Sequence, residues 1–262
     1  MRFKWSSRVI FGLALSTSHL AYSEEGCRKG DPCTMVVYSE QSDKWQVINK
    51  SRAERPFSPF STYKIPNTLI LLEKNKINTK ATYQVDTSQY PPKKWWPVKW
   101  QEEDIKLRDA FSYSVLPLYQ TWTKTLSKPE IKTFLSQFNY GNQDVTGPLD
   151  SFWLNSSMQI SAFEQVDFLR RLDNKTLGLS AHTYQTFDAI FLQEASPEHT
   201  LFAKTGTGPI AKKTYVGWYV GKVKNAQGTH YFAFNMYAPT FNDMVKVRVN
   251  KAKATLSELG IL

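Results

Sequence analysis

The chain has 262 residues, 41% of them hydrophobic and 14% aromatic, and carries a formal net charge of +10. That is enough apolar material for one large domain or two packed lobes around a substantial core, and it excludes an intrinsically disordered chain. The basic residues are scattered rather than gathered into a stripe, which argues against a nucleic-acid partner.

In chain order, the N-terminus reads as a secretory signal. Arg2, Lys4 and Arg8 precede the short apolar run "VIFGLALS", and "LAYS" offers small residues at Ala21 and Ser23 for cleavage before Glu24. The run is too short to span a bilayer as a helix. Residues 1–23 are therefore expected to be removed, leaving 24–262 as a periplasmic domain that is not held in the membrane. Cys27 follows "EEG" rather than the apolar and small residues of a lipoprotein signal. Cys27 and Cys33 flank the turn-prone "RKGDP" and either pair outside the cytosol or stay as two thiols. No histidine lies near them, so no metal site is expected.

"CTMVVYS" and "KWQVIN" are β-rich and separated by "EQSD", which predicts a hairpin. "IPNTLILLEKN" has apolar residues at helical spacing after an early proline. "QYPPKKWWPVKW" (89–100) is a loop too apolar to be a solvated linker, and is expected to cover a lobe or rim a cleft. From there to about residue 192 the pattern is helical. "LRDAFSYSVLPLYQTWTKTL", "KPEIKTFLSQFN", "SAFEQVDFLRRLDN" and "SAHTYQTFDAIFL" each repeat apolar residues every three or four positions, and Ser161 with Glu164 forms a capping box. "LFAKTGTG", "TYVGWYVGKVK" and "HYFAFNMYA" return to strand, and "VKVRVNKAKATLSELGIL" closes as a helix. Strands at both ends and helices between them predict an α/β fold. Its antiparallel sheet of five to six strands is flanked by helices, with a helical lobe inserted over roughly residues 80–192.

Five stretches carry chemistry. In "STYK", Ser61 and Lys64 stand three residues apart where an apolar helix begins, so the two side chains share a face. A serine there presents its hydroxyl and N–H, and a lysine becomes its base if burial lowers its pKa or if it is modified. In "AKTGTG", Lys204 and Thr205 bring a cation and a hydroxyl to a strand end, with Gly206 and Gly208 leaving space along it. "FSYSVLPLYQ" sets Ser114 inside an apolar helical pattern, "FNYGN" places Tyr140 and Asn142 at a helix end, and "FWLNSSMQIS" contains Trp153. Each has a plain structural alternative: a chance pair, a strand-to-loop turn, a helix serine, a C-cap and a core tryptophan.

Together, in this order and spacing, the five stretches resemble the class D β-lactamases, the oxacillinases, over nearly the whole mature chain. The Ser-x-x-Lys plus Lys-Thr-Gly pair is shared with class A enzymes and penicillin-binding proteins, while "YGN" and "FWL" mark class D. The resemblance implies the transpeptidase-like fold and hydrolysis of β-lactam substrates, penicillins and oxacillin-type compounds, through a serine acyl-enzyme. On it, Ser61 is the nucleophile and Lys64 the lysine carried as a carbamate, so carbon dioxide or bicarbonate is needed but no cofactor. Ser114 relays a proton to the leaving nitrogen. Trp153 steadies the carbamate beside Leu116 and Leu154. Lys204, Thr205, Gly206 and Thr207 engage the substrate, and the N–H groups of Ser61 and Thr207 form an oxyanion hole. Arg248 binds the substrate carboxylate, and Tyr140 and Asn142 shape the cleft. One departure stands out: Leu116 takes the place of the valine in the family's Ser-x-Val element. Two other readings share the serine and lysine: a penicillin-sensing receptor domain that acylates without turnover, and a small transpeptidase or carboxypeptidase. The sequence is compatible with a homodimer.

Overall fold

The computed structural model describes residues 25–262, and the signal reading of residues 1–23 lies outside them. β1 (Cys33–Ser39) and β2 (Lys44–Ile48) form the expected hairpin. Every residue of β1 is buried, because its two faces meet two different cores. Val36 and Tyr38 face the larger core, and Met35 and Val37 face a smaller one.

A short α1 (Lys50–Glu54) leads into a single 3-10 turn, Phe60–Tyr63, and then α2 (Lys64–Glu73). The first nine residues of α2 are all buried, so it runs through the middle of the larger core. Two short strands, β3 (Thr82–Tyr83) and β4 (Ile105–Lys106), pair with each other and were not foreseen.

The helical stretch contains α3 (Leu107–Ser112), α4 (Leu116–Thr123), α5 (Lys128–Gln137), α6 (Ala162–Asp173) and α7 (Ala181–Phe191). The capping box of Ser161 and Glu164 opens α6 as expected, and Ser127 with Glu130 makes a second at α5. The pattern from residue 107 to 126 is two helices rather than one, broken at 113–115.

β5 (Leu192–Ala195), β6 (His199–Ala211), β7 (Thr214–Asn225) and β8 (Gly228–Ala238) follow, and α8 (Phe241–Glu258) closes the chain. The sheet has six strands in the order β2-β1-β8-β7-β6-β5, with every neighbouring pair antiparallel. The sixth strand is β5, a mostly exposed edge that the helical pattern of the preceding stretch concealed. The helical lobe packs on one face of the sheet. α8 packs on the other against β7 and β8, where Gly217 leaves room for Met244: a Cβ there would lie 2.0 Å from its sulfur. Cys27 and Cys33 form a disulfide ahead of β1. Among the described residues no helix is long and apolar enough to cross a membrane.

Candidate active site

The 3-10 turn and the start of α2 bring the first pair together. Ser61 lies within the turn and Lys64 opens the helix, and Lys64 Nζ donates to Ser61 Oγ at 3.2 Å. Lys64 is 1% exposed and its Nζ sits 4.8 Å from the centre of the Tyr119 ring. Among the described residues no carboxylate pairs with it. Burial therefore disfavours the charged form and pulls its pKa down to about 7. Tyr119 is fixed in turn by a 2.7 Å hydrogen bond with Thr68.

The turn itself is shaped by an unusual backbone. Phe60 adopts a φ of 49°, its N–H donates to Trp153 O at 3.1 Å, and Thr62 N–H donates to Pro59 O at 3.1 Å. The left-handed region is costly for a residue with a bulky side chain such as phenylalanine and recurs at functional sites. The Ser61 N–H makes no backbone hydrogen bond among the described residues.

β6 lies directly against this turn. A Cβ on Gly206 would sit 2.6 Å from Pro59 O, and one on Gly208 would sit 2.0 Å from Phe60 Cε1. These glycines let the strand approach the Phe60–Tyr63 turn, so the space they leave is filled by protein rather than by ligand. On its other side β6 pairs with β5 only as far as Phe202, so the edge from Ala203 onward is open. Lys204, 2% exposed, donates to Ser114 Oγ at 2.5 Å and to Thr205 O at 3.0 Å. Burial, with the nearby Lys64 and Arg248, holds its pKa well below the usual lysine range.

Ser114 reaches Lys204 because the α3–α4 break aims it there. Its φ is 56°, Ser114 N–H donates to Phe111 O at 3.1 Å, and Val115 N–H donates to Ala110 O at 2.9 Å. That is a Schellman helix end with serine at the position glycine usually holds. The expectation of a helix-interior serine is thus corrected: the chain turns at Ser114 and restarts with Pro117 in the first turn of α4.

Arg248 projects from α8 to the same strand. Its Nη1 donates to Gly206 O at 3.1 Å and to Thr207 Oγ1, and its Nε has no partner among the described residues. No carboxylate pairs with it among the described residues. Burial lowers its pKa to about 10, still high enough to keep it cationic at neutral pH.

These residues open onto one cleft of about 260 Å³. Ser61, Ser114, Leu116, Leu154, Thr205, Gly206, Thr207 and Arg248 all line it, and Trp95, Pro97 and Trp100 form part of its rim, as expected for the 89–100 loop. Trp153 lies behind it, fully buried and stacked on Tyr63 at 5.3 Å, with its indole N–H unpartnered among the described residues.

The arrangement matches known proteins along most of its length. Residues 30–257 match the family model for the penicillin binding protein transpeptidase domain. Beta-lactamase OXA-48 of Klebsiella pneumoniae is 32% identical over 229 residues, covering 87% of this chain and 83% of that protein. The crystal structure of a class D β-lactamase from Sebaldella termitidis superposes with a TM-score of 0.81 at 30% identity, covering 87% of this chain and 91% of that one. The chain belongs to the class D β-lactamases. The methicillin resistance mecR1 protein of Staphylococcus aureus is 30% identical over 209 residues, 79% of this chain but 34% of that longer protein.

Two expected cleft residues of this β-lactamase lie elsewhere. Tyr140 is fully buried behind the Phe60–Tyr63 turn, its ring 6.1 Å from Tyr63 and 4.9 Å from Phe168. Asn142 is a tether: its Nδ2 donates to Ser157 O at 2.7 Å, and its Oδ1 accepts from Gln159 N–H at 3.0 Å. Gly141, with a φ of 52°, lets this loop close on Gln159 O, which a Cβ would meet at 2.2 Å. The "YGN" element therefore holds the chain segment after Trp153 and does not form the cleft wall. Beside the foreseen Trp95, the sequence reading missed the rest of the apolar mouth: Tyr113, Phe241 and Val245 are all large, exposed and on the cleft. A helical pattern hides Tyr113, and Phe241 falls before the stretch read as the last helix.

Proposed function

We propose that this enzyme opens penicillins and oxacillin-type β-lactams by acylating Ser61 and then hydrolysing the ester, with Lys64, as its carbamate, serving as general base in both steps. The observation that carries the reading is the 3.2 Å contact between Ser61 Oγ and a buried lysine that, among the described residues, no carboxylate neutralises. Ser61 Oγ attacks the lactam carbonyl and gives its proton to Lys64. The N–H groups of Ser61 and Thr207 take the developing oxyanion. As the lactam C–N bond breaks, Ser114, held by Lys204, relays to the leaving nitrogen the proton that Lys64 took from Ser61, which frees Lys64 to act as base again. Arg248 and Thr207 hold the substrate carboxylate at the open strand edge. Lys64 then draws a proton from the water that clears the ester.

The residues around Lys64 fit a carbamate. An amine whose pKa lies at about 7 is free to take up carbon dioxide near neutral pH. A new anion in an apolar pocket needs donors, and the buried, unpartnered Trp153 Nε1–H and the Ser61 hydroxyl are suited to supply them. The group supplies an anionic oxygen base at neutral pH. With residues 1–23 acting as a secretory signal, the enzyme works in the periplasm.

The test is carbon dioxide itself. In depleted buffer, progress curves should slow and added bicarbonate should restore them, with Trp153→Ala deepening the dependence. Indifference to bicarbonate, with no carbamate carbon signal by 13C NMR, would leave Lys64 a plain amine. A second reading, acylation without turnover, draws on Leu116, which lines the cleft with Leu154 and is bulkier than the family's valine, a change expected to narrow the route for water.

A further inference from the structure

We infer that Phe60 is a positioning residue, whose ring wedged against Gly208 sets the distance between the nucleophile turn and β6, and so between the two N–H groups that face the reacting carbonyl. The inference rests on the proposed acylation of Ser61.

The observations are local and independent. Phe60 is 2% exposed, so its ring is held on all sides. The ring edge occupies the space where Gly208 would carry a side chain, with Cε1, Cδ1 and Cζ at 2.0, 2.3 and 2.7 Å from an ideal Cβ. Two positions along the same strand, Gly206 meets the other side of the turn at Pro59 O and Thr62 N. Thr207 lies between the two glycines, and Ser61 lies between Phe60 and Thr62. The strand and the turn are thus in contact on both sides of the pair that acts on substrate. The positive φ of Phe60 and its N–H bond to Trp153 O orient the turn, leaving the Ser61 N–H without a backbone partner among the described residues.

A wedge of this kind affects the chemical step more than binding. The substrate carboxylate is held by Arg248 from α8, on the opposite face of β6 from the ring. A change in the gap between turn and strand misplaces the oxyanion donors, and small misplacements of such donors are expensive in rate. Because ring edge and missing side chain occupy one space, the two positions are coupled.

A double-mutant cycle with Phe60→Ala and Gly208→Ala tests this. Rapid-mixing acylation by a chromogenic cephalosporin gives kcat-type and KM-type constants for each protein, and circular dichroism with thermal melts establishes folding. Phe60→Ala opens the gap and Gly208→Ala forces it, so each should slow acylation about 10- to 100-fold with KM changed less than about threefold. The double variant, whose new methyl occupies part of the vacated ring space, should recover at least about tenfold over the slower single. Phe60→Leu, which keeps bulk without a ring, should fall between wild type and Phe60→Ala, and serves if an alanine variant fails to fold. Single variants that acylate at the wild-type rate, or a double variant whose losses simply multiply, would overturn the inference while leaving the β-lactamase reading in place. A wild-type protein that does not acylate at all would overturn both.

Discussion

Lys64 is held where its charge is unwelcome, and that has consequences on both sides of the stability–activity balance. A lysine amine in water keeps its proton up to 10.5, whereas burial pulls that of Lys64 down to about 7. Above pH 10.5 the amine is neutral in the folded and the unfolded chain, so burial carries no charge penalty. As pH falls toward 7 the unfolded chain takes up a proton that the folded chain resists, and stability drops; below about 7 the full penalty is present. Lys64→Met, which keeps length without charge, should therefore stabilise the protein in bicarbonate-free buffer. The gain should be largest near pH 6 to 7 and fade toward pH 11, and thermal melts across that range would show it. A gain independent of pH would mean that packing, not charge, is responsible. Arg248 is the second residue on which much rests. It is a buried cation at the open strand edge that no carboxylate pairs with among the described residues. Arg248→Ala should lower kcat/KM for carboxylate-bearing β-lactams about 10- to 100-fold, mostly through KM, as expected for a lost charge-assisted bond. Unchanged kinetics would move the role to Lys204.

At the scale of elements, the two positive-φ residues on the site, Phe60 and Ser114, show where sequence reasoning could and could not see the fold. Strands, most helices and both motif lysines were legible because hydrophobic period and capping residues carry them: the β1–β2 hairpin, α5, α6 and the three long C-terminal strands stand where expected. Ser114 was not, because a serine in a Schellman turn leaves the apolar period on either side intact, and only the φ of 56° reveals the break. Tyr140 and Asn142 were assigned to the cleft by motif alone, whereas their backbone turns them toward Tyr63 and Gln159. The φ of Ser114 yields a prediction that separates its backbone from its hydroxyl. Ser114→Gly and Ser114→Ala both lose the partner of Lys204, so both should lose acylation by on the order of 100-fold. Only glycine relieves the left-handed strain, so Ser114→Gly should exceed Ser114→Ala in stability by about 1 kcal/mol in chemical denaturation. Equal stabilities would indicate that the turn is not held in that conformation in solution.

For the whole molecule, the sheet separates the turn, α2 and the α3–α4 break, which carry Ser61, Lys64 and Ser114, from α8, which carries Arg248, and β6 joins them. The N-terminal segment fastens α8 from outside: Gly26 N–H donates to Glu258 Oε1 at 3.0 Å, Cys27 N–H donates to Thr255 Oγ1 at 2.7 Å, and Lys251 pairs with Asp31 at 3.2 Å. The disulfide closes this clamp over a sequence separation of 6. Reducing it should lower stability by about 2 kcal/mol, the value expected for so short a loop, as read by urea denaturation with and without reductant. The most direct measurement on the account as a whole is time-resolved intact-mass spectrometry after mixing with a penicillin. The predicted result is one added drug mass that maps to the peptide containing Ser61, appears at once and clears within seconds as the substrate is exhausted, and is absent from Ser61→Ala. An adduct that persists for hours would contradict hydrolysis, and labelling of Ser61→Ala would contradict Ser61 as the nucleophile.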